Sequence, residues 1–178
     1  MSQSVLPKPK KSVALSGTAA GNTAICTVGR SGNDLHYRGY DILHFAETCE
    51  FEEIAYLLIY GKLPNRAELD YYKRRLKSLR GLPVAVKQAL EALPPSAHPM
   101  DVMRTGVSFL GNIEPEGDFS REMETADRLL AVLPSILLYW YRFSHDGVRI
   151  ETETDEDWIV AHFLSLLNDE APRELPAS

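Results

Sequence analysis

Chemistry at neutral pH needs side chains that titrate, bind metal or attack carbonyls, so the five histidines come first: His36, His44, His98, His145 and His162. No two of them stand three or four residues apart, the spacing that sets two ligands on one helical face. A helical metal site is therefore not expected. His98 precedes Pro99 and reads as a turn or cap residue, His162 as a surface residue on an amphipathic helix, and His36 could point to either face of a hairpin. The acidic pairs Glu52-Glu53 and Glu114/Glu116 could serve general acid–base chemistry. Neighbouring acids at a helix start are more often dipole partners and solvated surface. Cys26 and Cys49 are too few for a disulfide framework and too far apart for a zinc pair. The sequence has no Gly-x-Gly-x-x-Gly, no phosphate loop, no His-Glu-x-x-His and no Gly-x-Ser-x-Gly. No catalytic or metal-binding constellation follows from the residues alone.

The elements that would carry these side chains are mostly helical. Residues 1–20 hold Pro7, Pro9 and Gly17 without a clear period and read as an extended arm, with Lys8, Lys10 and Lys11 a solvated cluster. β-Branched and aromatic residues recur over 23–28 and 35–40 around a turn-rich stretch, which predicts a small β-hairpin. Phe51, Ile54, Ala55 and Leu58 then line a helix that Gly61 ends. Asn65 caps the next, with Glu68 at the third position and Leu69, Tyr72, Leu76 and Leu79 as its buried stripe, and Gly81 closes it. Pro83 starts a short helix with Val86 and Leu90 inward.

Pro99 suits the first turn of a further helix striped by Met100, Met103, Val107 and Leu110, with Gly106 inside it. That glycine either admits another backbone or is a tolerated weak spot. A long helix over 120–143 has Met123, Ala126, Leu130, Leu133, Leu137 and Trp140 on one face. Leu129, Val132, Ile136 and Phe143 widen that face, and Pro134 should kink the helix. Thr154 is expected to cap the last helix, with Ile159, Phe163, Leu166 and Leu167 inward. The fold class is all-α with one small hairpin and six or seven helices. It divides into an arm at 1–20, a helical domain at 21–167 and a flexible tail at 168–178.

The totals limit the partners. A net charge of −6 in 178 residues, with no basic stripe, argues against nucleic acid. The longest apolar run, over 129–141, falls short of the roughly 20 residues that span a bilayer. No secretory leader is visible, and two cysteines in a chain without a disulfide framework fit a reduced, cytoplasmic setting.

Several stretches in order carry a resemblance. Leu35-His36-Tyr37-Arg38-Gly39-Tyr40-Asp41-Ile42 resembles the Tyr-Arg-Gly segment of citrate synthases. Phe51-Glu52-Glu53, Ala55-Tyr56-Leu57-Leu58, Gly61-Lys62-Leu63-Pro64 and His98-Pro99-Met100-Asp101-Val102-Met103-Arg104-Thr105 continue that family's order. Lys10-Lys11-Ser12-Val13-Ala14-Leu15-Ser16-Gly17, Ala20-Gly21-Asn22-Thr23-Ala24, Ser135-Ile136-Leu137-Leu138-Tyr139-Trp140-Tyr141 and His162-Phe163-Leu164 are similar to the 2-methylcitrate synthase branch. The resemblance covers about residues 8–167 and corresponds to the family's N-terminal portion.

The resemblance implies a helical homodimer that condenses an acyl-CoA with oxaloacetate, propionyl-CoA in the methylcitrate branch, where the pathway is propionate breakdown. It implies no cofactor beyond the CoA thioester substrate. The family's proton-abstracting carboxylate and its two carbonyl-polarising histidines belong to later segments that this sequence does not contain, so no catalytic residue is carried over and the chain alone is expected to be inactive. Arg66, just after Gly61-Lys62-Leu63-Pro64, matches a family arginine associated with the substrate site; read from its position alone it is an exposed first-turn arginine. Two other functions stay open: a helical dimerisation module that pairs with itself or with a full-length subunit, and a piece of a plain citrate synthase.

Overall fold

The computed structural model describes residues 21–29 and 35–168. The expected arm at 1–20, the hairpin turn at 30–34 and residues 169–178 of the expected tail lie outside them. Strands β1 (Cys26–Val28), β2 (Leu35–Tyr37) and β3 (Tyr40–Asp41) form an antiparallel sheet in the order β1-β2-β3, with Cys26 opposite Tyr37 and Tyr37 opposite Tyr40. The expected second strand is therefore two strands. Arg38 and Gly39 both take positive φ, +48° and +91°, which makes the tight turn of a primed hairpin. Arg38 sits in a conformation that is unfavourable for any residue with a Cβ. Its guanidinium Nη2 donates to the Leu58 carbonyl at 2.7 Å and so ties the turn to the end of the next helix but one.

Seven helices follow among the described residues: α1 (Ile42–Thr48), α2 (Phe51–Tyr60), α3 (Arg66–Ser78), α4 (Val84–Glu91), α5 (Pro99–Ile113), α6 (Glu122–Tyr141) and α7 (Ile159–Asn168). Local chemistry explains most of their ends. Asp41 caps α1 by accepting from the Leu43 N–H at 2.9 Å. Gly61 ends α2 in the left-handed region at φ +84°. Asn65 and Glu68 form a reciprocal capping box at the start of α3. His98 caps α5 through Nδ1, which accepts from the Met100 N–H at 3.2 Å, and Pro99 is its first residue.

Helix α6 is the axis of the fold and packs against α2, α3, α4, α5 and α7. One core cluster joins Val86 and Leu90 of α4, Val102 and Leu110 of α5, Ile136 and Trp140 of α6 and Leu166 of α7. A second joins Ala55, Tyr72, Leu76, Ala131 and Ile159. Pro134 lies inside α6, which begins after a 3-10 turn at Phe119–Arg121 and passes into a π-helical turn at Arg142–Asp146.

Three facing assignments and one cap change. Helix α2 buries Glu52, Ala55 and Leu57, and Phe51 is exposed. The capping box at Glu50 and Glu53 sets that rotation. Helix α5 buries Val102, Gly106 and Leu110, an i, i+4, i+8 row, while Met100 is 61% exposed. At Gly106 the neighbour is a side chain and not a backbone: a Cβ there would lie 2.5 Å from Ile136 Cγ2. Helix α6 buries Asp127, Ala131, Val132, Ser135, Ile136 and the 138–140 run, so Val132, Ile136 and Trp140 are buried as expected, while Ala126, Leu130, Leu133 and Leu137 are half-buried and Met123 is exposed. Helix α7 starts at Ile159, so Thr154 does not cap it; residues 152–158 form a strap across the end of α3 and the α3–α4 connection.

Candidate functional site

Arg66 is the first residue of α3, its side chain 82% exposed, and it pairs with Asp70 one turn on at 3.3 Å. It belongs to none of the buried clusters and does not line the large cleft described next.

That cleft, about 1270 Å³, opens between the α3–α4 connection, the C-terminal half of α5 and the start of α6. Its floor is apolar, with Leu79, Leu82, Val107, Leu110 and Leu129. Three arginines stand in its walls, and each already holds a carboxylate. Arg128 grips Glu114 through two nitrogens, each at 2.9 Å, and also donates to the Leu79 and Gly81 carbonyls. Arg75 donates to Asp127 at 2.8 Å, and Arg121 to Glu124 at 3.1 Å. The Arg128 hydrogen bonds come first among the causes that hold the Glu114 carboxyl below its ordinary range. Glu116 and Glu153 add negative charge, so the cleft is not a ready anion receptor.

Asp127 explains one wall. It is 0% exposed in the middle of the apolar helix α6. Tyr60 donates to its Oδ2 at 2.5 Å, Tyr72 to its Oδ1 at 3.0 Å and Arg75 Nε to Oδ2 at 2.8 Å. A buried carboxylate is tolerated when a counter-charge and further donors complete its shell. Tyr56, Tyr60 and Tyr72 pack ring to ring around it. Burial, then Asp127, keeps both tyrosine hydroxyls protonated well above their ordinary range. With its three donors in place and no exposure to solvent, Asp127 ties α2, α3 and α6 together.

A second polar cluster joins α2, the end of α3, α6, α7 and the strap. Arg80 is buried, and its Nη1 donates to the Glu156 carbonyl at 2.5 Å and towards Thr154 Oγ1 at 3.4 Å. Glu52 Oε1 accepts the Ile159 N–H at 2.7 Å. His162, expected on the surface, is 0% exposed. Its Nδ1 lies 2.9 Å from Thr154 Oγ1 and its Nε2 lies 3.1 Å from Ser135 Oγ. The correction has a physical reason: Ser135 and Thr154 satisfy both ring nitrogens, so the imidazole can be buried uncharged.

The remaining residues singled out by chemistry stay apart. His98 is a cap, His44 is exposed on α1, and His145 stacks on Tyr141 in the π-turn. Glu53 closes the α2 capping box and Glu114 is held by Arg128. Cys26 and Cys49 are free thiols. Among the described residues no three His, Cys, Asp or Glu side chains converge as metal ligands, and no helix is long and apolar enough to cross a membrane. Sequence reasoning missed Asp127, Arg80 and the role of Glu52. The available signal was a lone Asp between Ala126 and Leu129 in an apolar helix, where a charge needs partners.

A family profile described as "Citrate synthase, C-terminal domain" matches residues 14–178. Over 161 residues the chain is 61% identical to the 2-methylcitrate synthase of Shewanella oneidensis, covering 90% of this chain and 43% of that protein. The crystal structure of citrate synthase from Thermotoga maritima is 32% identical with a TM-score of 0.73, covering 90% of this chain and 42% of that one. Citrate synthase from Thermoplasma acidophilum, solved as a ternary complex with carboxymethyl coenzyme A and oxaloacetate, superposes with a TM-score of 0.80 at 22% identity, covering 89% and 42%. That last likeness establishes the shared fold. The chain thus spans about two-fifths of the length of the proteins it matches.

Proposed function

The chain belongs to the citrate synthase family, and on that premise we propose that it is the N-terminal helical scaffold of a cytoplasmic 2-methylcitrate synthase, which joins propionyl-CoA to oxaloacetate in propionate breakdown. The observation that carries the reading is the 61% identity to the Shewanella oneidensis enzyme over nine-tenths of this chain. The polar clusters support it, since they hold helices together and present no free base or nucleophile. In this reading the proton-abstracting carboxylate and the carbonyl-polarising histidines come from family segments that this sequence does not contain, and no cofactor is needed beyond the CoA thioester. Arg66 is the one described residue assigned to substrate. It stands free of the core, and its surface partner Asp70 can be exchanged for an anionic ligand at little cost. The test is release of CoA from propionyl-CoA and oxaloacetate by the purified chain. No release above background is expected; turnover in a sample free of larger species would overturn the scaffold reading. Acetyl-CoA in place of propionyl-CoA separates the 2-methylcitrate from the citrate synthase reading once the missing segments are supplied.

A specific observation favours a second role, pairing with another copy or with a full-length subunit. Phe109, Ile113, Phe119 and Met123 are exposed in sequence along the end of α5 and the start of α6, Phe119 at 86%. Large apolar side chains exposed on neighbouring elements are a protein contact or an aggregation hazard. Sedimentation of the chain should show a dimer or larger species that Phe119→Asp dissociates; a monomer at all concentrations contradicts this role.

A further inference from the structure

The strap at 152–158 has no regular structure and four of its seven residues are acidic, yet it is held at defined points. Leu82 N–H donates to Thr152 Oγ1 at 3.2 Å, and Lys77 Nζ donates to the Asp155 carbonyl at 2.5 Å. Arg80 Nη1 reaches both Glu156 O and Thr154. Beyond Thr154 the contacts continue to His162 on α7 and Ser135 on α6.

The order of donors along this path is fixed at one end. A guanidinium has only N–H donors, so Thr154 Oγ1 accepts from Arg80. A hydroxyl has one proton and two lone pairs. With one lone pair turned to Arg80, the arrangement that gives His162 Nδ1 the Thr154 proton leaves the ring proton on Nε2, facing Ser135 Oγ. We propose that this one-way relay, from Arg80 through Thr154 and His162 to Ser135, locks His162 as its neutral Nε2–H tautomer and makes the strap an acid-releasable latch on α6 and α7.

A proton added at Nδ1 turns that nitrogen from acceptor to donor. Thr154 then loses the acceptor for its hydroxyl, and the imidazolium stands beside the Arg80 cation. The charged groups around the latch are Lys77 in the last turn of α3 and Arg80 just after it, Glu52 from α2, and Asp155, Glu156 and Asp157 in the strap itself, with Lys77 paired to Asp155 and Asp157; α6 contributes the neutral Ser135. Arg80 is the charged group that acts on the ring, after burial, and both oppose protonation. The latch therefore stays shut at neutral pH and opens in acid.

Two readouts on the intact chain test it. Nitrogen-15 NMR of labelled histidine should show His162 as the Nε2–H tautomer at neutral pH; an Nδ1–H tautomer, an even mixture or an imidazolium there would overturn the lock. Amide exchange on acidification should show residues 152–160 losing at least tenfold in protection before the 131–140 part of α6. His162→Gln offers an acceptor and a donor at similar positions but does not titrate, so it should hold strap protection to lower pH than the wild type. Equal loss in both proteins, or loss of strap and α6 in step, overturns the latch. If His162→Gln does not fold, Thr154→Val removes the relay's middle member: a mixed tautomer with weakened strap protection supports the proposal, and an unchanged pure tautomer refutes it.

Discussion

The carboxylate of Glu52, in the first turn of α2, accepts the backbone N–H of Ile159 at 2.7 Å, so the first turn of α7 is capped by a residue 107 positions away. Glu52 is buried, which makes the bond hard to replace with water. Glu52→Ala should lower unfolding free energy by about 1–3 kcal/mol and expose the start of α7 to exchange. Glu52→Gln, which keeps an acceptor oxygen, should recover most of that. Denaturant titration of the two variants checks the pair, and equal losses in both would mean that charge, and not the cap, is what matters.

Asp127 is the most consequential buried charge. Removing it leaves the Tyr60 and Tyr72 hydroxyls without their acceptor, each loss costing about 1–3 kcal/mol, while Arg75, 30% exposed, can turn its charge to water. Asp127→Ala should therefore unfold the chain or bring it to the margin. Tyr72→Phe should lose only about 1 kcal/mol, since Asp127 keeps two donors. Comparable stability of Asp127→Ala and wild type in urea would contradict this account of the cluster.

Gly106 is a packing residue, and its substitution runs against helix propensity. Alanine there should gain up to about 1 kcal/mol as a helix former. The new Cβ would meet Ile136 Cγ2 at 2.5 Å, and overpacking typically costs about 1–3 kcal/mol. Gly106→Ala should be destabilising on balance, and less so in an Ile136→Ala background, where the clashing Cγ2 is gone. A more stable Gly106→Ala would show that α5 and α6 can move apart freely.

Acid should weaken the fold through His162. Burial first, and Arg80 second, lower its folded-state value from 6.5 to about 3. The unfolded chain then binds a proton that the folded chain does not, so stability falls as pH drops through 6.5 and goes on falling until about 3. The loss is on the order of a few kcal/mol for this one group. The carboxyls of Glu91 and Glu114, held low by Arg149 and Arg128, add to the same trend, because their contribution is lost as pH falls through their folded-state values. Thermal melts from neutral to acid pH should show a shallower decline for His162→Gln than for wild type; parallel curves would exclude His162 as a source.

Much of the scaffold could be read from the sequence because its signals are local. The Asn65–Glu68 box, the Gly61 terminus and the His98–Pro99 start each depend on residues within four positions, and each forms as expected. The Tyr37-Arg38-Gly39 stretch was legible as a resemblance, but its physical reason was not: the turn needs Gly39 at φ +91°, and Arg38 ties that turn to the C-terminus of α2. The buried polar residues were not legible, because their partners come from far along the chain. Asp127 is satisfied by Tyr60, Tyr72 and Arg75, and His162 by Ser135 and Thr154. Periodicity sorts apolar from polar positions and places a lone Asp or His on the solvent side by default. Arg66 lies exposed at the place its sequence position implied.

As the proposed scaffold of a 2-methylcitrate synthase, the chain should replace the matching stretch of a relative. The direct measurement is CoA release from propionyl-CoA and oxaloacetate by a chimera in which the matched 161-residue stretch replaces its counterpart in the Shewanella oneidensis enzyme. The account predicts a soluble chimera with kcat within about tenfold of the parent and the same preference for propionyl-CoA over acetyl-CoA, with Arg66→Ala raising KM for oxaloacetate. A folded chimera without turnover, beside an active parent, would contradict it.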